Sequence, residues 1–428
     1  MRFSVFTPTH NPKFLNETFR SLQKQTFKDW EWVILPNNLK PDGPKMPEFK
    51  DARVRVLPEY NGSTRIGDIK AEACSKCSGE FLVELDHDDL LASNALEKLD
   101  AAITETDAAF VWCDTANFFP DGKCQLYGQG YGWTAYEAIV DGTKYVTNRS
   151  FEVTPSSLRS IHFAPNHFRA WRAETYRAIG GHDRKLNVCD DHDLVVRTYL
   201  AGAKFHHIPE TLYLYRMHED GGNSFLLRNQ EIQDTNDLMA AKYTHPIIKE
   251  WCRRHELPMY DLGGAHGAVP GFQTVDIQGE ADVIHDVRTG LPWADSSVGC
   301  VRAYDFLEHI PHCGSSVCKH DSGCTVHLMN EIHRVLVPGG MLLSATPSTD
   351  GRGAWQDPTH VSGWNTNSFW YYTRAQQQKY VPGITARFQA SAVSNCFPSE
   401  WHKMHNIVYA FADLVALKGQ RQPGLCEI

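Results

Sequence analysis

Short β-rich runs alternate with amphipathic stretches along this sequence. In the first half of the chain, four apolar runs predict strands, and two stretches with apolar residues three or four positions apart predict helices. The strands are predicted at residues 3–6, 31–35, 54–57 and 81–85, and the helices at 16–25 and 66–77. Strands that alternate with helices predict repeated βαβ units and therefore a parallel sheet.

A second series of the same kind begins near Met259, with strands predicted at 274–277, 282–285, 298–304 and 341–345. A chain of 428 residues exceeds what one hydrophobic core usually organises, so two domains are expected. Residues 243–246 interrupt the preceding helical pattern at a proline. We therefore predict an α/β protein with two doubly wound domains, at 1–245 and 258–428, joined by a short linker helix within 246–257.

Composition narrows the class of protein. Hydrophobic residues at 42% and charged residues at 22% are typical of globular proteins. A net charge of -9 disfavours nucleic acid as a partner, because phosphates are neutralised by clustered Lys and Arg. No apolar leader opens the sequence and no apolar run approaches the ~18 residues that span a bilayer. We expect no membrane insertion, a cytoplasmic location (in the host cell if a phage encodes the gene) and mostly reduced cysteines.

Three carboxylates, Asp86, Asp88 and Asp89, follow the fourth predicted strand. Ligands collect at strand ends in open α/β sheets. Carboxylates this close repel one another unless a cation neutralises them, and Mn²⁺ or Mg²⁺ prefer oxygen ligands. The motif therefore predicts a metal–diphosphate site. The alternative is an acidic segment that caps the helix predicted from about Ser93.

A second acidic motif, at residues 190–193, opens a helical pattern. An ionised Asp in a partly desolvated cleft can take a proton from an acceptor hydroxyl. A solvated helix start accounts for the same residues. Further on, the strand-like run 213–218 ends in His218, whose imidazole either completes a metal shell or is simply exposed.

Taken together and in this order, these motifs resemble the inverting GT-A glycosyltransferases of the family 2 type, over about residues 1–235. The resemblance implies a nucleotide-sugar donor, a UDP-, GDP- or dTDP-sugar, and Mn²⁺ or Mg²⁺ held by Asp88 and His218. It implies a general base at Asp191, preceded by Asp190. The donor would be bound by residues at the first strand end and around it, namely Pro8, Thr9, Asn11, Asn37, Asp51, Lys70 and Asp86.

The implied reaction is a single displacement that inverts the anomeric carbon, with Asp191 deprotonating the acceptor oxygen. The sequence departs from the family pattern in two ways. Asn37 and Asn38 stand where relatives often carry acidic residues, and Asp190 replaces a commoner Glu. Both substitutions keep oxygen acceptors. The acceptor is expected to be a glycan, a protein or a modified base, and the oligomeric state stays open.

The second series starts with a glycine cluster at 261–267, where small residues allow a bound nucleoside to approach the backbone. With the segments 307–311 and 330–340, it resembles class I S-adenosylmethionine methyltransferases, of the type 11 kind, over about 258–376. The resemblance implies that S-adenosylmethionine is bound by Asp261, Gly263, Gly267, Asp276 and Asp286.

Two departures from that pattern are Ala265, in place of a frequent glycine, and a connection to the second strand that has room for only about one helical turn. A polar loop at 348–360 supplies His360, which with His309 is a candidate base. A loop histidine bonded to backbone groups is the alternative. The tail beyond residue 376 predicts closing strands.

Four soft side chains, Cys313, Cys318, His320 and Cys324, form either a zinc site or a surface insertion with ordinary thiols.

Two functions follow from these motifs. One is a bifunctional enzyme that attaches a sugar and then O-methylates that sugar or its acceptor, a fusion similar to those of tailed-phage and bacterial surface-modification genes. The other is a glycosyltransferase whose methyltransferase-like domain only recognises the acceptor. A scaffold without turnover is disfavoured, because burying unpaired carboxylates is costly. Residues 308–311 and 338–340 weigh against a dehydrogenase.

Overall fold

The computed structural model of the protein describes residues 1–160, 163, 167–264, 267, 269–312, 324–419 and 421–424. The chain divides into two compact units. The first comprises Met1–Gly128, Trp133–Val153 and Ser157–Ile247, and the second comprises Gln129–Gly132, Thr154–Ser156 and Ile248–Ile428.

The first unit is built on a mixed sheet, which has eleven strands within the described residues. Its strands are β1 (Phe3–Thr9), β2 (Trp30–Pro36), β3 (Val54–Val56), β4 (Phe81–Glu84), β5 (Leu90–Leu91), β6 (Phe110–Phe118), β7 (Cys124–Gln125), β8 (Ala135–Val140), β9 (Thr143–Asn148), β10 (Ala170–Arg172) and β11 (Phe205–Arg216). The main path runs β3-β2-β1-β4-β10-β6-β11-β5.

The four predicted strands of this unit are confirmed as β1 to β4, and they pair in parallel. The sheet as a whole is not parallel, which corrects the expectation from the βαβ pattern. β10 is antiparallel to β4 and to β6, and β8 pairs with β9 in an antiparallel hairpin. β1, β2 and β4 are buried along their whole lengths, so both faces of these strands are covered, which explains their continuous apolar runs.

The helices are α1 (Leu15–Gln23), α2 (Ile66–Ser75), α3 (Ala95–Thr106), α4 (Pro155–Leu158), α5 (Ala173–Ala178), α6 (Asp190–Leu200), α7 (Ser224–Leu227), α8 (Asn229–Arg254), α9 (Cys324–Val335), α10 (Trp370–Thr373), α11 (Ala375–Gln378) and α12 (Glu400–Met404). α1 and α2 confirm the two predicted helices. α3 buries Leu96, Leu99 and Ile103, three residues spaced along one face, which is the stripe that packs on a sheet.

Helix α8 corrects the expected break before residue 246. The sequence predicts that one helix ends there and that a separate linker helix lies within 246–257, but α8 runs without interruption past Pro246 to Arg254. A proline inside a helix removes one hydrogen bond and crowds the preceding turn. Here the residues on either side of the proline are packed: Tyr243 and Ile247 are buried, and the Tyr243 hydroxyl donates to Asp193 at 2.6 Å. Tertiary packing thus outweighs the local preference.

The second unit contains a seven-stranded sheet within the part of the chain that the structure describes. Its strands, in the spatial order β14-β13-β12-β15-β16-β18-β17, are β12 (Met259–Leu262), β13 (Gln273–Asp276), β14 (Val283–Ile284), β15 (Val298–Tyr304), β16 (Leu336–Pro347), β17 (Phe388–Cys396) and β18 (Tyr409–Ala416). The predicted strands and the closing strands of the tail are confirmed.

The first five strands of this sheet are parallel, and β18 is antiparallel to both of its neighbours. The order reverses between β12 and β15, which makes a topological switch point of the kind where open α/β sheets bind ligands. The connection from β12 to β13 comprises only residues 263–272, shorter than the dozen or more that a parallel crossover normally needs. α9 covers the sheet through buried residues such as Leu328 and Ile332.

None of the helices in the described residues combines the length and the apolar character needed to span a bilayer.

A buried imidazole on β11 makes the stability of the first unit dependent on pH. His207 places its ring nitrogens 3.0 Å from Asp114 and 2.9 Å from Glu152, and its ring stacks on Trp112. Burial by itself lowers the pKa of His207, but the hydrogen bonds to the two carboxylates raise it to about 9. The protonated imidazole therefore stabilises the folded state.

We expect His207→Gln to remove this stabilisation. Because the folded pKa lies above the ordinary value of 6.5, the contribution is fully present below pH 6.5 and is lost as pH rises through about 9. Denaturant unfolding should show a free-energy difference between wild type and variant on the order of 2 kcal/mol near pH 6 that vanishes above pH 9. The half-buried neighbour His206, changed to Gln, is the control, and a difference that does not vary with pH would refute the assignment.

Candidate active site

Polar side chains gather at the carboxyl-terminal edge of the parallel strands in the first unit. β1 ends at Thr9, β2 leads into Asn37 and β4 leads towards Asp86. The Asn37 N–H donates to the Thr9 carbonyl at 2.8 Å, and Asn37 also bridges to Tyr60. Backbone hydrogen bonding between β1 and β2 therefore continues to the carboxyl-terminal edge of the sheet, where a ligand is expected.

Three predicted donor-binding residues lie on or just after β1. Pro8 pairs with Leu35 of β2, and Thr9 is fully buried. Asn11 begins a short 3-10 turn, in which its side chain accepts from the Lys13 N–H at 3.2 Å. The structure brings these residues together with Asn37 at one edge of the sheet.

Asp88 and His218 meet directly, although 130 positions separate them in sequence. His218 Nε2 lies 2.7 Å from Asp88 Oδ2, and both side chains are partly exposed. Burial raises the pKa of the Asp88 carboxyl, but the bond from His218 outweighs it and the pKa is lowered. The same bond raises the pKa of His218, against burial.

Arg216, the last residue of β11, fixes the geometry of this pair. Its backbone N–H donates to Asp89 Oδ1 at 2.7 Å and its guanidinium donates to the Asp88 carbonyl at 2.7 Å. The end of β11 is therefore anchored to the loop after β4. His218, two residues beyond Arg216, is brought beside Asp88 as a result.

Asp89 has a different role from the one predicted for the three-carboxylate motif. It is 1% exposed and accepts from the Tyr213 hydroxyl at 2.7 Å as well as from Arg216. Burial and the charges of Asp88 and Asp86 raise its pKa well above the ordinary value. Asp89 thus joins two strands, and the surface that faces solvent is left to Asp86 and Asp88.

The donor set at this edge fits a hard or borderline divalent ion. Asp88 offers carboxylate oxygen, and His218 offers an imidazole nitrogen on the same side. Asp86 is half-buried in the same loop, where burial and the charge of Glu84 raise its pKa to about 6. Such a carboxyl gains from a nearby cation, so these residues fit Mn²⁺ or Mg²⁺.

Five charged side chains, which we call the Lys70 cluster, form a buried ion network beside this edge. Lys70 Nζ lies 2.6 Å from Glu84 and 3.2 Å from Asp190. Arg169 Nε lies 2.7 Å from Glu84, and its Nη1 lies 2.9 Å from Asp191. Glu84 thus joins two cations, and each cation holds one of the paired aspartates at the start of α6.

The cluster separates the roles of its two aspartates. The Asp190 side chain is 5% exposed, whereas that of Asp191 is 19% exposed. Burial raises the pKa of Asp190 to about 6. For Asp191, burial is outweighed by Arg169 and Lys70, which lower the pKa. Asp191 is therefore the ionised and accessible carboxylate, and Asp190 positions Lys70.

Two further predicted donor-binding residues, Lys70 and Asp51, are engaged in ion pairs. Lys70 points from the inner face of α2 into the ion network, with a side chain only 9% exposed, so its charge is engaged by carboxylates. Asp51 precedes β3 and ion-pairs with Arg53 at 2.7 Å. Because β3 is parallel to β1, Asp51 lies at the amino-terminal edge, opposite to Thr9 and Asn37. Neither residue is kept in the proposed donor site.

The sequence interpretation missed Arg169 and Glu84. Both lie in or beside apolar strands, and Arg169 is 3% exposed. A charged residue within an apolar strand pattern could have indicated a buried ion pair, because a buried charge is stable only when it is paired.

In the second unit, Gly263 follows β12 in a conformation that favours glycine, with φ at +75°. A Cβ built there would lie 2.6 Å from the ring of Phe306, which follows β15. Asp261, predicted to bind cofactor, is buried and accepts from Arg302 at 2.7 and 2.9 Å. The turn at Gly263 is therefore tightly packed at the topological switch point. The Asp261 carboxylate is occupied by its ion pair with Arg302.

The other predicted cofactor residues of this unit are more open. Asp276 ends β13 and accepts from the Ile277 N–H at 2.6 Å. Asp286 begins a 3-10 turn and ion-pairs with Arg288 at 2.8 Å. A Cβ added to Gly267 would meet no described atom within 4 Å. Asp276 therefore lies beside Gly263 at the carboxyl-terminal edge of the sheet. The Asp286 carboxylate is occupied by its ion pair with Arg288.

His360 is brought together with His309 and with Glu308 after β15. Of the proposed zinc ligands, Cys324 is buried and begins α9. The other three, Cys313, Cys318 and His320, lie outside the described residues, as does Ala265.

Comparison with known proteins finds a family match within the first unit. Residues 4–179 match the sequence model of the family described as Glycosyl transferase family 2. This match supports a glycosyltransferase in the first unit. The matched segment contains Asp88 and Arg169 and stops before Asp191 and His218. In the first unit, the mixed α/β sheet is consistent with a GT-A fold.

Three relatives share about half of the chain. It is 26% identical over 221 residues to the O-antigen biosynthesis protein RfbC of Myxococcus xanthus, covering 49% of this chain and 15% of that protein. It is 26% identical over 218 residues to Glycosyltransferase GlyG of Streptococcus pneumoniae serotype 4, covering 50% and 70%. It is 25% identical over 243 residues to the Chondroitin synthase of Escherichia coli, covering 56% and 32%. The chain therefore spans less than a third of the first and third relatives.

Similar solved structures include S. aureus TarS 1-349, at 18% identity and a TM-score of 0.39, over 60% of this chain and 72% of that chain. TarS 1-349 in complex with UDP-GlcNAc gives 16% identity and a TM-score of 0.40, over 59% and 71%. A TM-score this low supports no conclusion about function.

Proposed function

We propose that the first unit transfers a sugar from a nucleotide-sugar to an acceptor hydroxyl with inversion, and that the second unit uses S-adenosylmethionine to O-methylate the sugar or its acceptor. The observation that carries the first part is the Asp88–His218 pair beside the Lys70 cluster, in a unit whose residues 4–179 match a glycosyltransferase family. Lys70 and Arg169 affect the pKa of both Asp86 and Asp191, so these two carboxylates lie within electrostatic reach of the same cations.

Asp88 and His218 would hold Mn²⁺ or Mg²⁺, with Asp86 beside them. Such an ion, when bound, neutralises charge on a diphosphate leaving group. Thr9 and Asn37, at the neighbouring strand ends, face the nucleotide in this proposal. A glycan is the acceptor we favour, because the names of two relatives refer to O-antigen and chondroitin synthesis.

Asp191 accepts the acceptor's hydroxyl proton in this reaction. The acceptor oxygen forms a bond to the anomeric carbon while the bond from that carbon to the diphosphate oxygen breaks, and the electron pair leaves with the nucleoside diphosphate. Arg169, 2.9 Å from Asp191, holds the carboxylate in place and keeps it ionised at neutral pH. One displacement of this kind inverts the anomeric carbon.

A panel of UDP-, GDP- and dTDP-sugars, assayed for release of nucleoside diphosphate with Mn²⁺ and with EDTA, tests the proposal. We expect release from one donor class with the ion and a large loss with EDTA. Asp88→Asn and His218→Gln should lower the rate, whereas Asp121→Asn, at an exposed turn, should not. If nucleoside diphosphate is still released with EDTA present and by the Asp88→Asn variant, the proposed metal site is wrong.

The methyltransferase proposal is supported by the parallel strands β12 to β16 and by the tight turn at Gly263 on the switch point. The carboxylate of Asp276 is suited to a ribose diol because it accepts two hydrogen bonds. The short connection at 263–272 favours a second candidate, an acceptor-recognition module that binds no cofactor.

Calorimetric titration with S-adenosylmethionine separates these two candidates. We expect micromolar binding by the full chain and a loss of about 10- to 100-fold in affinity for Asp276→Ala, from the lost charged hydrogen bonds. Glu400→Ala, exposed at the start of α12, is the matched control. If the wild type shows no heat of binding, the recognition module is the better description.

A further inference from the structure

The second unit carries three metal-ligand side chains at one point. Glu308 and His309 lie in a short turn after β15, and His360 lies in the loop after β16. One ligand atom from each of the three lies within 4.8 Å of the other two. This spacing lets one ion contact all three.

Backbone contacts hold the loop of His360 against the turn of Glu308. The N–H groups of Val361 and Ser362 donate to the Glu308 carbonyl at 2.9 and 3.0 Å, and the Ser362 hydroxyl donates to the Leu307 carbonyl at 3.0 Å. Hydrogen bonds from the two residues that follow His360 therefore hold its loop against the turn that carries Glu308 and His309.

Both imidazoles place Nδ1 beside a backbone carbonyl oxygen. His360 Nδ1 lies 3.1 Å from the Ala354 carbonyl, and His309 Nδ1 lies 3.2 Å from the Thr359 carbonyl. A carbonyl oxygen can only accept, so each Nδ1 carries the proton and each Nε2 keeps a lone pair. Histidines that bind metals usually donate their other N–H to a carbonyl or carboxylate in this way.

Glu308 gives an independent indication of a ligand. Its side chain is 1% exposed, and Oε2 accepts from the Thr346 hydroxyl at 2.7 Å. Oε1 has no hydrogen-bond partner among the described residues. A buried carboxylate oxygen without a partner is costly, and a cation at this position would offset that cost.

We propose that Glu308, His309 and His360 bind a divalent transition-metal ion, with Zn²⁺ favoured by two nitrogens and one oxygen, and with a further position open to water or a substrate oxygen. β12, β15 and β16 are parallel neighbours, so the ion lies at the same edge of the sheet as Gly263. The proposal concerns the second unit and does not depend on sugar transfer or on methyl transfer.

The test is metal binding by the full-length protein after removal of metals with a chelator. We would titrate Co²⁺ and follow its visible absorption, and measure bound Zn²⁺ by mass spectrometry of the metal. We expect one equivalent that His360→Gln and Glu308→Gln bind at least ~100-fold more weakly. His255→Gln, exposed just after α8, and His218→Gln in the first unit should both retain it. Circular dichroism verifies folding, and the half-buried His360 is the safer variant if Glu308→Gln does not fold.

Three results would overturn the proposal. The first is wild-type protein that binds no Co²⁺ beyond the equivalent removed by His218→Gln. The second is an equivalent that His360→Gln leaves unchanged. The third is a Co²⁺ spectrum with a thiolate charge-transfer band, which would assign the ion to cysteines.

Discussion

Asp191→Asn should lower the rate of sugar transfer by about 10²- to 10⁴-fold, the range typical for loss of a general base. The Asp191 carboxylate is ionised because Arg169 and Lys70 outweigh burial, and its side chain reaches solvent. An amide has nearly the same shape but cannot take a proton. We therefore expect kcat to fall while the KM for the donor changes little. Initial rates with a saturating acceptor measure both.

Asp183→Asn is the matched control, because Asp183 lies shortly before α6 and is exposed. Thermal unfolding should accompany the kinetics, since Asp191 is also a partner of Arg169. A folded Asp191→Asn protein with wild-type kcat would show that another group accepts the proton.

Lys70→Met should be among the most destabilising single substitutions in the first unit, at about 3–5 kcal/mol. Removing this cation leaves Glu84 and Asp190 buried with one positive partner fewer, and a buried charge without compensation is much less stable than a pair. Denaturant unfolding measures the loss. Met keeps the apolar length of the side chain, so little of the effect comes from a cavity.

Lys76→Met provides the comparison, because Lys76 follows the same helix but is exposed and pairs with the partly exposed Glu72. We expect it to cost less than about 1 kcal/mol. Adding Glu84→Gln to Lys70→Met should cost less than the sum of the two single changes, since the two residues act as one network. Strict additivity would show that the network has no energetic coupling.

In the proposed reaction, the Lys70 cluster also positions the general base. Arg169 ion-pairs with Asp191 and so holds its carboxylate in place. Glu84 ion-pairs with both Arg169 and Lys70 and so links the two cations. A base held by charges that are themselves locked needs little reorganisation when the reaction occurs. Substitutions of Arg169 should therefore affect both stability and rate, unlike those of Asp183.

Local patterns were sufficient to predict much of this protein. The strands β1 to β4 and the helices α1 and α2 follow from apolar spacing, which is a property of neighbouring residues. The Asp88 and His218 motifs were also visible, because each follows a strand-like run. The spacing of apolar residues reflects which face of a helix or strand is buried. This spacing can be read from the segment alone, without knowledge of its partners.

Other features depend on residues that are distant in sequence. Asp88 and Asp89 are adjacent and chemically identical, yet one meets His218 and the other is enclosed by Tyr213 and Arg216, because β11 returns beside β4. The meeting of Glu308 with His360 was likewise set by the packing of two loops. The ends of the parallel strands and the acidic motifs that follow them could be read from local sequence. Which of these carboxylates are ionised, paired or accessible depends on the folded chain, because burial and charge are set by partners that come together only after folding.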